Sequence, residues 1–314
     1  MSALVTGGAG FIGSNLVDAL LARGERVVVV DDLSTGRRRN LDAALAQGAE
    51  LHELDVCDAG ALNALFQRER PDVVFHLAAQ IDVRRSVADP AADARVNVEG
   101  TINVLAAAHA ARARRVVYSA TGGAVYGDAE LVPTPEDAPA RPLAPYGQGK
   151  LAGEGYCALF TRLHGLSTVA LRYANVYGPR QDPLGEGGVI AIFCGCLAEA
   201  RTPTIYGDGE QTRDYVYVGD VVAANLRAAE LDVTGPVNIG TGVETSVLHL
   251  AAAFRELPGG EAFAPEHAPA RAGEVLRSCL DAARARELLG WGPEVALAEG
   301  LRLTLATVDA AHAG

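Results

Sequence analysis

With 314 residues, 49% of them hydrophobic, the chain can bury a sizeable core and is too apolar to remain disordered. Its formal charge of −12 leaves no basic footprint for nucleic acid, and no run approaches the ~20 apolar residues of a membrane helix. The N-terminus enters a strand pattern without the charged-then-apolar order of a secretory leader, so a cytoplasmic protein with no nucleic-acid or membrane partner is expected.

The first strand-like run, Ala3 to Thr6, leads through Thr6-Gly7-Gly8-Ala9-Gly10-Phe11-Ile12-Gly13 into a helical stretch from Phe11 to Leu21. Gly7, Gly10 and Gly13 fit the GxxGxxG form of the dinucleotide fingerprint, in which glycine permits a tight turn, close approach of backbone to pyrophosphate and packing of helix on strand. Phe11 and Ile12 open the helix whose N-terminus favours the anion. A second run, Val27 to Asp31, ends on a carboxylate 18 residues beyond Gly13. There it can accept hydrogen bonds from an adenosine ribose and repel a 2′-phosphate, so NAD is expected over NADP. Asp32 suits a turn or helix cap better than a cofactor contact. A third run, Leu51 to Leu54, is followed by Asp55 and Val56 at the edge where an adenine would lie, with a cap as the alternative for Asp55.

A helix from Ala61 to Arg68 leads to the fourth run, Val73 to Leu77, whose end, Leu77-Ala78-Ala79, brings small residues beside the cofactor. Val83, Arg84 and Ser86 follow, placed to line a sugar cavity, although Arg84 and Arg85 equally suit a solvated pair. The helical stretch Ala91 to Arg112 carries Asn97, read as a buried asparagine that bridges strands in a supporting role. Just past the fifth run, Val116 to Ser119, stands Thr121, whose hydroxyl can bond a substrate oxygen as its proton leaves. Ser119 competes for that role, and either hydroxyl can instead satisfy backbone at a strand end. The helix from Tyr146 to His164 opens with YxxxK, which puts Tyr146 and Lys150 on one face a turn apart. A chain with 26 arginines places its single lysine here, where a compact, tunable ammonium differs from guanidinium. With a positive nicotinamide, that ammonium would pull the Tyr146 phenol below its usual ~10 and make it a general base.

Thr168 to Tyr173 and Val237 to Ile239 return to strand pattern, and Val189 to Glu199 to helix. From Tyr173 onward glycine and proline become denser, in GPRQDPLGEGG and PGGEAFAPEHAPARAG, and loops should dominate. The expected fold is α/β, a Rossmann-type doubly wound parallel sheet over residues 1–172, with later strands near 212–218 and 236–240 interleaved and a smaller substrate-binding lobe over 173–314. Cys57, Cys157, Cys194, Cys196 and Cys279 form an odd set without CxxC spacing, so free thiols are expected, with no metal site; Cys194 and Cys196 are read as packing.

In that order between residues 2 and 291, TGGAGFIG, HLAAQ, SATGGAVYG, YGQGK, RYANVYGPRQDP, GDGEQTRDYVYV and NIGTG resemble the extended short-chain dehydrogenase/reductases, and among them the UDP-glucose (galactose) 4-epimerase group. The resemblance implies Tyr146 as base, Lys150 as its electrostatic partner and nicotinamide-ribose ligand, Thr121 where serine often stands, and Tyr173 beside the cofactor. It implies NAD-dependent inversion at C4 of a UDP-hexose: a transient 4-keto sugar turns over and takes the hydrogen back on its other face. Relatives that dehydrate or decarboxylate carry an acid just after the catalytic hydroxyl, because a later proton removal needs one. Gly122 and Gly123 stand there, so a 4,6-dehydratase or ketoreductase is the less favoured reading.

By the same resemblance Arg213 and Arg271 grip the diphosphate, a task suited to guanidinium forks. Asn175 meets sugar or phosphate, and Gly188, Val189, Ile205 and Tyr206, with Gly207, form the base pocket. Ser278 stands at a gate where a small side chain leaves room for an N-acetyl group, which admits UDP-GlcNAc and UDP-GalNAc. Asp182 replaces the basic residue of uronate-specific relatives, so UDP-glucuronate is disfavoured, and Glu274 replaces the commoner aspartate. A homodimer through the helices Ala91 to Arg112 and Tyr146 to His164 is also implied.

Overall fold

In the computed structural model, which describes residues 1–183, 188–270 and 275–312, strand and helix alternate through the first half of the chain. β1 (Ser2–Thr6), α1 (Phe11–Ala22), β2 (Arg26–Asp31), α2 (Asp42–Ala46), β3 (Glu50–Glu53), α3 (Ala59–Glu69) and β4 (Val73–His76) lead to α4 (Val83–Ala88) and α5 (Pro90–Ala94). A π-helical turn, Arg95–Glu99, joins α5 to α6 (Gly100–Ala110), and β5 (Arg115–Thr121), α7 (Gly122–Val125), α8 (Pro145–His164) and β6 (Ser167–Tyr173) follow. The second half holds β7 (Asn175–Tyr177), α9 (Val189–Ala198), β8 (Thr204–Tyr206), β9 (Thr212–Arg213), β10 (Tyr215–Tyr217), α10 (Val218–Glu230) and β11 (Gly235–Ile239). It ends with β12 (Thr245–Ser246), α11 (Val247–Arg255), β13 (Glu266–Ala268), β14 (Arg277–Ser278), α12 (Ala283–Leu289) and α13 (Leu297–His312).

Seven strands form one parallel sheet in the order β11-β6-β5-β4-β1-β2-β3, the doubly wound arrangement expected. Both faces are covered, which is why its strands read as nearly unbroken apolar runs. Along β1, Ala3 and Val5 enter the core shared with α1, α10 and α12, while Leu4 enters the core under α3, α6 and α8. A third core, with Phe193, Phe254 and Phe263 in mutual ring contact, holds the smaller lobe together. Of the two later stretches expected to interleave, Gly235–Ile239 joins the large sheet beside β6, whereas Thr212–Arg213 and Tyr215–Tyr217 pair elsewhere. Their strands of two and three residues build small sheets with β12 and β14, and with β7. All five cysteines are free, and Cys194 and Cys196 are buried. Among the described residues no helix is long and apolar enough to cross a membrane.

The stretch expected as one helix from Ala91 to Arg112 is interrupted by the π turn, a device that re-aims side chains by inserting one residue. Asn97 lies in that turn and ties the loop after β4 to α5, not strand to strand: its Nδ2 donates to Gln80 O at 2.9 Å and to Asp93 Oδ1 at 3.0 Å, and its Oδ1 accepts from Gln80 N at 3.1 Å.

His76, at the end of β4, stitches the sheet to α6 with Nδ1 2.7 Å from Thr6 Oγ1 and Nε2 3.0 Å from Thr101 Oγ1. Burial, reinforced by the charge of Lys150, pushes it down to about 3. The unfolded chain takes up this proton near ~6.5. The contribution of His76 to stability is therefore complete above that pH and falls by about 1.4 kcal/mol per pH unit as acid is added, down to its folded value of about 3. Urea midpoints measured from pH 7.5 downward should fall more steeply in the natural chain than in a His76→Gln variant; parallel lines would show that His76 contributes nothing to the slope.

Candidate active site

The fingerprint turn packs against the end of β4. Gly7 has a φ of +70°, and a Cβ placed on it would stand 2.6 Å from Ala78 N. A Cβ on Gly13 would stand 2.2 Å from Gly7 O, so this turn closes only without side chains. Gly10 caps α1 in extended conformation with no side-chain hydrogen bond, and no acid occupies the first helical turn. The free N–H groups of Phe11, Ile12 and Gly13 and the positive end of the helix are thus left for an anion. Asp31 closes β2, and its buried carboxylate accepts from Ala9 N at 2.8 Å and Leu33 N at 2.9 Å. Burial raises it above the usual carboxylate range, against those two bonds. Asp32 accepts from Ser34 N at 3.0 Å and is the turn cap preferred for it. Asp55 accepts from Cys57 N at 2.8 Å, the capping alternative, and Val56 is buried beneath α6 with its carbonyl 3.1 Å from Asn103 Nδ2. Leu77 N donates to Thr6 O, and Ala78 N to Thr6 Oγ1, which holds Leu77-Ala78-Ala79 beside the turn. A glycine cradle, an uncapped helix start and a carboxylate at the second strand's end are what a dinucleotide requires, and these residues fit NAD.

α8 starts on Pro145, where a missing N–H costs nothing, and ends at Gly165 in the left-handed region. Its first turn presents Tyr146 and its second Lys150. Thr121 is not past β5 but is its last residue, paired in register with Tyr173, and it is the side chain that works to lower the Tyr146 phenol. Ser119 lies two residues earlier on the same strand, where its hydroxyl works to lower the buried Tyr173 phenol. Tyr173 is buried with its hydroxyl 3.0 Å from Asn225 Oδ1, so its ring is a core group facing α10.

Lys150 is 3% exposed, donates to Ser119 O at 2.9 Å and lies 5.1 Å from the centre of the Tyr118 ring. Burial pushes it down to about 8, with Asp93 the first of the groups that oppose the fall. The expected acidification of Tyr146 is not found in the chain alone. Burial pushes the phenol up to about 12; the Thr121 hydrogen bond works downward and Asp93 upward. The desolvation of a phenolate outweighs the one hydrogen bond that favours it.

A cavity of 690 Å³ opens in the smaller lobe and gathers Asn175, Gly188, Val189, Ile205, Tyr206 and Arg213 on its wall. Arg213 donates to Thr212 O at 2.8 Å, and its strand is flanked in register by Thr245 and Ser278, which puts Ser278 beside it. A Cβ placed on Gly123 would stand 3.7 Å from Asn175 Oδ1, so the cavity wall reaches the residues that follow Thr121. Two cavity residues went unrecognised in the motifs that carry them. Gln181 donates to Val176 O at 3.1 Å and, among the described residues, its buried Oε1 has no hydrogen-bond partner; Gln211 donates to Tyr206 O at 3.0 Å. Asp214, fully buried, was also missed. It accepts from Thr241 N at 2.8 Å, Gly242 N at 3.1 Å and Leu280 N at 3.3 Å, and so joins β9, the NIGTG turn and the end of β14.

Other expected residues lie apart from this cavity. Val83 and Arg84 open α4 on the surface; Arg84 is 81% exposed, 3.8 Å from Asp82, as a solvated residue would be. Ser86 is buried and bonds Val83 O. Asp182 is ion-paired with Arg37, whose backbone N–H bonds Ala9 O, so its carboxylate answers a guanidinium on the fingerprint side. Arg271 and Glu274 lie outside the described residues.

A model of the NAD dependent epimerase/dehydratase family matches residues 3–240. A UDP-glucose 4-epimerase of Mycolicibacterium smegmatis is 50% identical over 312 residues, covering 97% of this chain and 97% of that protein. The UDP-glucose 4-epimerase of Thermotoga maritima, solved with UDP-glucose, aligns with a TM-score of 0.95 at 45% identity, over 99% of this chain and 100% of that one. The UDP-glucose 4-epimerase of Thermus thermophilus, solved with NAD, aligns with a TM-score of 0.89 at 41% identity, over 98% of each.

Proposed function

The chain belongs to the NAD-dependent epimerase/dehydratase family, and on that premise we propose that it interconverts UDP-glucose and UDP-galactose by inversion at C4. The observation that carries this reading is how near the cavity comes to the end of the catalytic strand: Asn175 on its wall lies close to Gly123 of α7, two residues beyond Thr121. A sugar on a nucleotide held in the cavity can thereby reach Tyr146.

Gly7, Gly10, Phe11, Ile12, Gly13 and Asp31 would hold NAD, which would supply the hydride acceptor and donor. Tyr146 removes the C4 hydroxyl proton and later returns it, Thr121 orients the phenol, and Lys150 places a cation one turn along the same helix. Arg213 grips the diphosphate while Val189, Ile205 and Tyr206 enclose the base, so the anchor holds as the keto sugar turns. Residues 1–172 serve as the cofactor domain and 173–314 as the substrate lobe. With glycine at 122 and 123, no carboxylate follows Thr121 to drive the later proton removal of a dehydratase. Ser278, small and beside Arg213, leaves room for a 2-N-acetyl group, so UDP-GlcNAc is a second substrate of the same reaction. The reading includes a homodimer through α6 and α8, which pack side by side, and a cytosolic location, with which five free cysteines agree.

Incubation of the protein with UDP-glucose, followed by proton NMR, tests the reaction. UDP-galactose without net NADH is the expected outcome, and a stable 4-keto-6-deoxy product would reassign the protein as a dehydratase. UDP-GlcNAc and UDP-glucuronate run in parallel rank the substrates.

A further inference from the structure

Lys150 is buried with a carbonyl and an aromatic ring as its neighbours, and among the described residues it has no carboxylate within ion-pair distance. A buried ammonium needs compensation from somewhere. From its own helix, Glu154 is consumed by Arg172 of β6 at 2.6 Å, and the Cys157 thiol is pushed so far up by burial that it stays neutral. Tyr146 is a neutral phenol in the chain alone. From β5 comes the Tyr118 ring, and from β4 the neutral His76.

α5 contributes Asp93, which is 1% exposed. Its Oδ1 accepts only neutral donors, Gln80 Nε2 at 2.8 Å and Asn97 Nδ2 at 3.0 Å. Its Oδ2 would stand 3.2 Å from a Cβ on Gly149, the residue beside Lys150, and Asn97 Cβ would stand 3.1 Å from the same point. Glycine at 149 is what lets α5 and the π turn lie against α8 at the second turn of YxxxK.

We infer that Asp93 is the counter-charge of Lys150, a positioning residue fixed by Gln80 and Asn97, an inference that rests on reading Tyr146 and Lys150 as the catalytic pair. An acid in this place keeps a proton on the pair. It favours the ammonium and opposes the phenolate, and both effects agree with the directions found at the two groups.

The solitary lysine makes the test direct, because the full chain grown with lysine labelled with carbon-13 at Cε gives one side-chain signal. Asp93→Asn keeps an Oδ1 acceptor for both neutral donors and removes only the charge. In the folded variant the titration midpoint of that signal should fall by roughly one pH unit or more. The limbs of the pH–rate profile with UDP-glucose should move the same way, whereas a residue of purely structural effect would lower the profile without moving its limbs. An unchanged midpoint overturns the inference. If Asp93→Asn does not fold, Gly149→Ala serves instead: its methyl group pushes Asp93 from α8 and should move the midpoint down by less, and no movement or a rise would overturn the inference. The NMR signal does not depend on turnover. A lowered midpoint together with near-normal activity in Tyr146→Phe would leave the counter-charge standing and sink the catalytic reading.

Discussion

Tyr146→Phe should lower turnover of UDP-glucose by roughly 10³-fold, the scale of a lost general base, while NAD affinity and thermal stability stay near those of the natural chain. The substitution removes one oxygen, on which Thr121 acts, and the ring remains in place at the start of α8. Burial pushes the phenol up to about 12 in the chain alone, where no nicotinamide charge acts on it. The geometry that makes the step possible cannot be supplied by solvent. Turnover and an NAD titration on one preparation check both halves, and activity within about tenfold of normal would take Tyr146 out of the mechanism.

Gly13→Ala should weaken NAD binding by roughly 10²-fold and lower the unfolding free energy by about 1–3 kcal/mol. The added carbon would meet Gly7 O at 2.2 Å and Gly8 Cα at 2.8 Å, both backbone, so no rotamer change relieves the clash. The turn must open, and with it the row of N–H groups at the start of α1 loses its aim. Gly155→Ala is the control, since a Cβ there meets nothing within 4 Å and the residue lies mid-helix. That variant should bind NAD normally. Calorimetric titration of both variants decides the matter: equal affinities would mean that the fingerprint turn does not contact the dinucleotide.

Much of this fold is legible in the residues because a parallel sheet covered on both faces demands long apolar runs, which few other structures do. The fingerprint and YxxxK are legible for a related reason: their spacing alone fixes which atoms share a turn or a helix face. The upward push of burial on Tyr146 in the chain alone was not legible, because a neighbouring ammonium can be read from spacing while the depth of burial cannot. The π turn at Arg95–Glu99 left no mark, since one inserted residue keeps the helical spacing on either side. Nothing in the spacing singles out Asp93 or Asp214, whose burial depends on the elements packed over them. Arg84 suited a cavity wall and a solvated pair equally by sequence, and its side chain is 81% exposed. The strands at Thr212–Arg213 and Tyr215–Tyr217 are too short for a pattern to tell which sheet they join.

Reversible transfer of the C4 hydrogen within one bound sugar is the core of the proposed chemistry, and isotope labelling reads it most directly. UDP-glucose carrying deuterium at C4 is incubated with the protein in ordinary water, and the hexose is examined by NMR and mass spectrometry. UDP-galactose with the deuterium still at C4 is predicted. UDP-galactose that has exchanged this deuterium for solvent hydrogen, or a keto product released with reduced cofactor, would contradict it.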